Sequence, residues 1–179
     1  NTKYGTAAEC VEIPSFSGGD GIGGNYVGAF TDPATGKVVA ETLIHEGCDV
    51  IFAAAGDSGN GALTAVKEAE GFWYIGCDTD QYDDGAKGNG NVILTSALKV
   101  MHLDVERELN AIYDGTFAGK DAVLGADTGS TGYVSAEGRQ QLSADALSKL
   151  DECLEKLKTG EIIPPCYPDY SVDDFPGLK

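Results

Sequence analysis

The sequence predicts an α/β protein with a mainly parallel, Rossmann-like sheet and helices on both of its faces. The clearest sign is the run 49–55 (DVIFAAA), apolar without alternation, as expected of a strand covered on both faces. Such runs alternate along the chain with stretches whose apolar residues recur at helical spacing, which implies βαβ units joined by right-handed crossovers. The length, 179 residues, suits one domain with its own core and is short for two.

Residues 1–24 do not share this rhythm. A short helix-like start gives way to Pro14, Ser15, Ser17 and a cluster of glycines, and reads as the tail of a preceding region. The alternating body covers 25–165. A strand is expected at 25–30, and Asp32-Pro33 opens a helix reaching about residue 46. Strand 49–55, helix 60–70 and strands 72–77 and 91–95 follow. Leu98, Met101, Val105, Leu109 and Ile112 recur at spacings of 3, 4, 4 and 3, the apolar stripe of a helix over about 98–115. A short strand at 122–125 comes next. Leu147, Leu150, Leu154 and Leu157 repeat the stripe, with Ser143 as N-cap and Gly160 as the stop. The tail 166–179 is irregular and contains Pro168 and Pro176. In parallel α/β sheets ligands bind beyond the carboxyl ends of the strands. The residues to inspect are therefore 30–32, 56–59, 78–81 and 95–99.

Twelve Lys+Arg against 29 Asp+Glu give a formal charge of −17. So acidic a surface repels phosphate backbones and anionic headgroups, which argues against nucleic acid or a membrane surface as partner. No apolar run approaches the roughly 20 residues of a membrane span, and no signal-peptide pattern opens the chain. Five cysteines leave at least one unpaired, and none has CxxC spacing. Cys48 and Cys77 adjoin apolar runs and are expected as buried, inert thiols. Cys153 and Cys166 have a pairing left open.

The familiar motifs do not hold up. Gly19-Asp20-Gly21-Ile22-Gly23-Gly24 matches G-x-G-x-x-G but lacks the preceding strand, so a loop is expected. Asp80, Tyr82, Asp84 and Gly85 echo a calcium loop, yet Asn91 stands where a bidentate Glu is needed, so a solvated acidic loop is expected. His45 and His102 stand alone, His45 suited to the C-terminus of a helix. No nucleophile–base pair, metal cluster or phosphate loop remains, so an enzyme on a doubly wound sheet is the less favoured reading. Asp78 is different. It follows a buried strand, where a carboxylate can accept two hydrogen bonds from neighbouring ligand hydroxyls. Lys99, expected at the start of the next helix, can share its cleft. Together they suit a polyhydroxylated neutral ligand.

Four ordered segments carry a resemblance. Asn25-Tyr26-Val27-Gly28-Ala29-Phe30-Thr31-Asp32-Pro33 resembles the "YVGSFxDP" segment of the basic membrane protein family, the purine nucleoside receptors of ABC importers. Residues 49–61 resemble its "DVIFxAAGGTGxG", 75–81 its "IGVDSDQ" and 94–99 its "LTSMLK". The resemblance implies the second lobe of a type I periplasmic-binding-protein clamshell, in a family roughly twice this length. It also implies an extracytoplasmic protein, lipid-anchored through an N-terminal segment absent here, that binds without catalysis and without a cofactor. Its implied partners are a purine nucleoside (inosine, guanosine or adenosine), an ABC permease and the first-lobe portion of the same protein. Self-association through the exposed face of helix 98–115 is the alternative where that lobe is missing. By position, Asp78 and Lys99 match the residues at the ribose, and Phe30 the aromatic that stacks on the base, with Tyr26 as fallback. Gly56 matches a glycine that lets backbone approach the ligand. Asp57-Ser58 departs from the family's Gly-Thr, so Asp57 either alters base preference or points to solvent; Cys77 replaces Val. A sugar or other small-metabolite receptor on the same fold is the alternative ligand class.

Overall fold

A computed structural model describes residues 7–18, 23–119 and 122–164. The motif positions 19–22, Cys166 and the tail 166–179 lie outside the described residues. The chain divides into two compact units, 7–51 with 55–72 and 52–54 with 73–164, within the described residues.

The first unit is built on two helices, α1 (Pro33–His45) and α2 (Ser58–Glu68). Asp32 caps α1, its carboxylate accepting from the Thr35 N–H at 3.0 Å and the Thr35 hydroxyl at 2.7 Å, with Pro33 preset for the first turn. The Thr35 N–H, then its hydroxyl, hold the Asp32 carboxyl below its ordinary range. That stabilisation is present at neutral pH and is lost as the pH falls through the lowered value. His45 ends α1, as its spacing suggests.

The two helices approach backbone to backbone. A Cβ on Gly36 would stand 2.0 Å from the Ser58 carbonyl oxygen, and one on Gly61 only 1.8 Å from that of Pro33. Around this contact Val39, Ala40, Ala62, Leu63, Ala65 and Val66 are buried. Strand β1 (Val50–Phe52) follows, shorter than the 49–55 run. The expected strand at 25–30 does not form. Gly28 turns at φ +84°, Asn25 makes only one bridge, to Ser17, and its side chain serves Ile13 N–H and the Val11 carbonyl.

The second unit centres on strands β2 (Trp73–Asp78), β5 (Ile93–Lys99) and β6 (Thr131–Tyr133), with a hairpin of β3 (Ala86–Lys87) and β4 (Gly90–Asn91) between the first two. β2 and β5 run parallel, Tyr74 opposite Ile93 and Asp78 opposite Leu98. β6 lies antiparallel on β5, Leu98 opposite Gly132. Tyr74, Ile93, Val92, Ala126 and Val134 form the buried centre, and burial pushes the Tyr74 phenol up to about 12. Helices α3 (Met101–Tyr113) and α4 (Ala144–Lys158) complete the unit. Ser143 caps α4 and Gly160 turns beyond its end at φ +73°, as expected.

Three expectations need correction here. Leu98 and Lys99 belong to β5, not to the helix, because β6 extends the ladder and the Val100 N–H donates to the Ser130 carbonyl. Residues 122–125 form no strand: Val123 and Leu124 are exposed, and the Gly125 N–H is taken by the Thr128 hydroxyl. Cys48 and Cys77 are half-buried rather than buried; in both, burial is the first cause of a raised thiol pKa.

Gly61→Ala is expected to cost about 2–3 kcal/mol, since a methyl must displace a backbone carbonyl. Gly119→Ala, which meets nothing within 4 Å, serves as control. Urea unfolding of both variants checks this; equal midpoints would contradict the helix contact.

Candidate functional site

In the first unit the segment before α1 presents Phe30. The residue is 72% exposed while its backbone is fixed. The Phe30 carbonyl accepts from the Ser58 N–H at 3.1 Å. The buried Ser58 hydroxyl donates to the Ala29 carbonyl at 2.7 Å and accepts from the Asp32 N–H at 2.9 Å. Ser58 therefore braces both sides of Phe30, a role that nothing in its sequence neighbourhood signals. Gly56 sits at φ +56°, and a Cβ there would stand 3.2 Å from the Phe30 carbonyl oxygen. Its small size thus admits the Phe30 backbone. Asp57 immediately precedes α2, and its carboxylate accepts from the Asn60 side-chain amide at 2.8 Å. Tyr26 is about half exposed, its hydroxyl donating to the Gly23 carbonyl at 2.9 Å.

In the second unit the structure brings Asp78 and Lys99 together. Asp78 ends β2 opposite Leu98, which places Lys99 alongside, its Nζ 3.8 Å from Asp78 Oδ1. Both side chains are at least half exposed. An ion pair this open contributes about 0–1 kcal/mol, so both groups keep hydrogen-bonding capacity for a ligand.

Asp78 is the one non-glycine residue with positive φ among the described residues, at +67°. The Thr79 N–H donates to the Cys77 carbonyl across it at 2.8 Å. Asp78 is therefore the middle of a γ-turn of the rarer, more strained hand. Such a conformation costs a residue with a side chain about 1–3 kcal/mol.

The turn is tied down on both sides. The Cys77 N–H donates to Gln81 Oε1 at 3.0 Å, and the Gln81 N–H donates to the hydroxyl of the fully buried Ser96 at 3.1 Å. Gly76 leaves room for this: a Cβ there would lie 2.3 Å from Ser96 Oγ. Further out, Arg139 donates from Nε to Asp80 at 2.8 Å and from Nη1 to Asp83 at 2.7 Å, and its guanidinium stands 5.3 Å from the centre of the Tyr82 ring. Burial works against the Asp80 charge, but the Arg139 guanidinium and the Tyr82 N–H overcome it and lower its pKa. The loop expected to be merely solvated is thus an ordered, ion-paired turn leading into the β3–β4 hairpin. Among the described residues no group of His, Cys, Asp or Glu is arranged to hold a metal ion. Gln81, Ser96 and Arg139 were missed by sequence reasoning. Gln81 stands within a motif, whereas Ser96 acts through the β2–β5 register and Arg139 from 59 residues beyond Asp80.

Mixed α/β units with ligand-type residues at the ends of parallel strands suit a solute-binding protein, and comparison bears this out. Residues 22–167 match the family model for the ABC transporter substrate-binding protein PnrA-like family. The chain belongs to this family. It is 32% identical over 152 residues to the CD4+ T-cell-stimulating antigen of Listeria monocytogenes, covering 78% of this chain and 42% of that protein. It is 30% identical to the ABC transporter nucleoside-binding protein BmpA of Lactococcus lactis, with 75% and 40% covered. Basic membrane protein D of Borreliella burgdorferi is 32% identical, with 84% and 43% covered. A solved ABC transporter solute-binding protein from Aeropyrum pernix superposes with a TM-score of 0.64 at 26% identity, over 81% of this chain and 48% of that one. The chain therefore spans about two fifths of the length of these curated relatives, and its fold is that of one lobe of a clamshell.

Substituting Asp78 separates charge from backbone. Asp78→Asn should change stability by no more than about 0.5 kcal/mol, whereas Asp78→Val, β-branched at positive φ, should cost about 2 kcal/mol. Urea unfolding of the two variants measures this, and equal losses would contradict the left-handed turn.

Proposed function

We propose that this chain is the nucleoside-gripping lobe of an ABC importer's substrate-binding protein, and that it binds purine nucleosides without transforming them. The observation that carries the reading is the Asp78–Lys99 pair, a carboxylate and an ammonium 3.8 Å apart at the ends of neighbouring parallel strands, both open to solvent. A carboxylate so placed accepts from the adjacent hydroxyls of a ribose, and the ammonium donates to a hydroxyl or ring oxygen. Each such charge-assisted bond contributes about 1.5–3 kcal/mol. In the first unit, Phe30 is an exposed ring on a braced backbone, a face able to stack on a base, which by analogy with base–aromatic contacts is worth about 1–3 kcal/mol. The name of the Lactococcus lactis relative, a nucleoside-binding protein, supports the same choice. The protein works outside the cytoplasm on a lipid anchor and delivers its ligand to a permease.

Helix α3 supports a second half. Met101, Val105, Leu109 and Ile112 lie on it and are each more than half exposed, and no residue of α3 is buried. We read the stripe as a face that a first-lobe portion of the same protein covers. In its absence the stripe associates with a second copy.

Calorimetric titration of inosine, guanosine and adenosine, with ribose as control, into full-length protein tests the ligand. Saturable nucleoside binding, weakened at least tenfold by Asp78→Ala, is the expected result; loss of one charge-assisted bond predicts that scale. Ribose binding with no response to nucleosides would move the ligand to sugars. Silence to all four from folded protein would remove the reading. For the helix, light scattering of the 179-residue chain should show self-association that Leu109→Glu abolishes.

A further inference from the structure

We infer that Gln81 is a positioning residue for ligand binding: it holds the Asp78 carboxylate in its strained, outward-facing turn, with Arg139 as an outer strap. The inference rests on the nucleoside reading of Asp78 and goes beyond it, because neither Gln81 nor Arg139 is asked to touch the ligand.

Left to itself, an aspartate at a strand end relaxes to negative φ, and a strained residue persists only where its surroundings over-determine it. The one bond spanning Asp78, from Thr79 N–H to Cys77 carbonyl, belongs to the turn and does not account for its persistence. Gln81 supplies the missing constraint. Its side-chain oxygen takes the N–H of Cys77, the residue before Asp78, while its own N–H is anchored on Ser96 of the adjacent strand. Residues 77 and 81 are thereby tied to each other and to the sheet, and the three residues between them must fold into a tight loop.

This clamp is built into the core. Ser96 is fully buried, and Gly76 is the residue whose missing Cβ leaves space for both Ser96 Oγ and the Gln81 stem. Arg139 acts further out. Its forked donors join Asp80 to Asp83, and it is itself carried on a segment fixed to β5 by Gln141. The Gln141 N–H donates to the Leu94 carbonyl at 2.8 Å, and its side-chain amide to the Asn91 and Ile93 carbonyls. The part-buried Gln81 contacts outweigh the exposed ion pairs, which solvent screens. A carboxylate already aimed before the ligand arrives spares the ordering cost of binding.

The test uses full-length protein and two readouts: inosine affinity by calorimetry, and the one-bond Cα–Hα coupling of Asp78, which distinguishes positive from negative φ. Gln81→Met removes the acceptor at nearly constant shape; Gln81→Glu keeps it. Gln81→Met should weaken inosine binding about tenfold and move the Asp78 coupling toward its negative-φ value, whereas Gln81→Glu should keep affinity within about threefold of wild type and the coupling at its positive-φ value. Arg139→Met, on the surface, gives a smaller shift of the same sign and serves should Gln81→Met not fold. Wild-type affinity and coupling in Gln81→Met would overturn the inference, as would equal losses in the Met and Glu variants. If wild-type protein binds none of inosine, guanosine and adenosine, the nucleoside reading fails, and the coupling alone decides the role of Gln81.

Discussion

The parallel pairing of β2 with β5 is the constraint on which the second unit depends. Its register sets Asp78 opposite Leu98, so that Lys99 becomes the next residue along the neighbouring strand. The same register brings Ser96 beside Gly76, where the hydroxyl anchors the turn that follows β2. A slip of one residue would turn Lys99 to the other face of the sheet and set Thr95 or Ala97 in place of Ser96 beside Gly76. The shift recorded between Tyr74 and Ile75 occurs upstream of this stretch, which leaves the last four pairs in step up to the site.

In the first unit the comparable constraint is a contact without side chains. Gly36 and Gly61 bring α1 and α2 so close that a single methyl at either would collide with a carbonyl. That approach sets the start of α2 against the segment before α1, and the Ser58 hydroxyl then fixes both sides of Phe30. Helix packing and the presentation of Phe30 meet in this one serine, whose hydroxyl is satisfied on both its donor and acceptor sides.

Much of this was legible in the residues. Unalternating apolar runs marked β1, β2 and β5, and the spacing of leucines with Ser143 and Gly160 marked α4 nearly to its ends. The misreadings have physical causes. Residues 25–30 have strand composition, but Gly28 turns the backbone and Asn25 spends its side chain on local partners. Leu98 fits the helical stripe by spacing, yet β6 pairing holds it in the sheet, and β6 itself is three residues containing a glycine, too short to show a period. Asp78 and Lys99 were singled out because motif and strand-end position agree on them, and Phe30 by its motif alone, since the strand expected to end there does not form. Ser58, Ser96 and Arg139 act through tertiary neighbours that no local pattern encodes.

The strap from Arg139 to Asp80 closes over 59 residues, and the Gln141 side chain reaches back 50 to Asn91. Closing loops of that length is entropically costly, and such contacts form only after nearer ones have narrowed the search. The β2–β5 ladder and the Gln81 clamp are closer in sequence and need not wait for residue 139. During folding the turn at Asp78 is therefore shaped first and secured last, when the polypeptide beyond β6 settles onto the edge of β5. A nascent chain released before residue 139 emerges from the ribosome would have its strands but lack the outer fastening of the turn at Asp78.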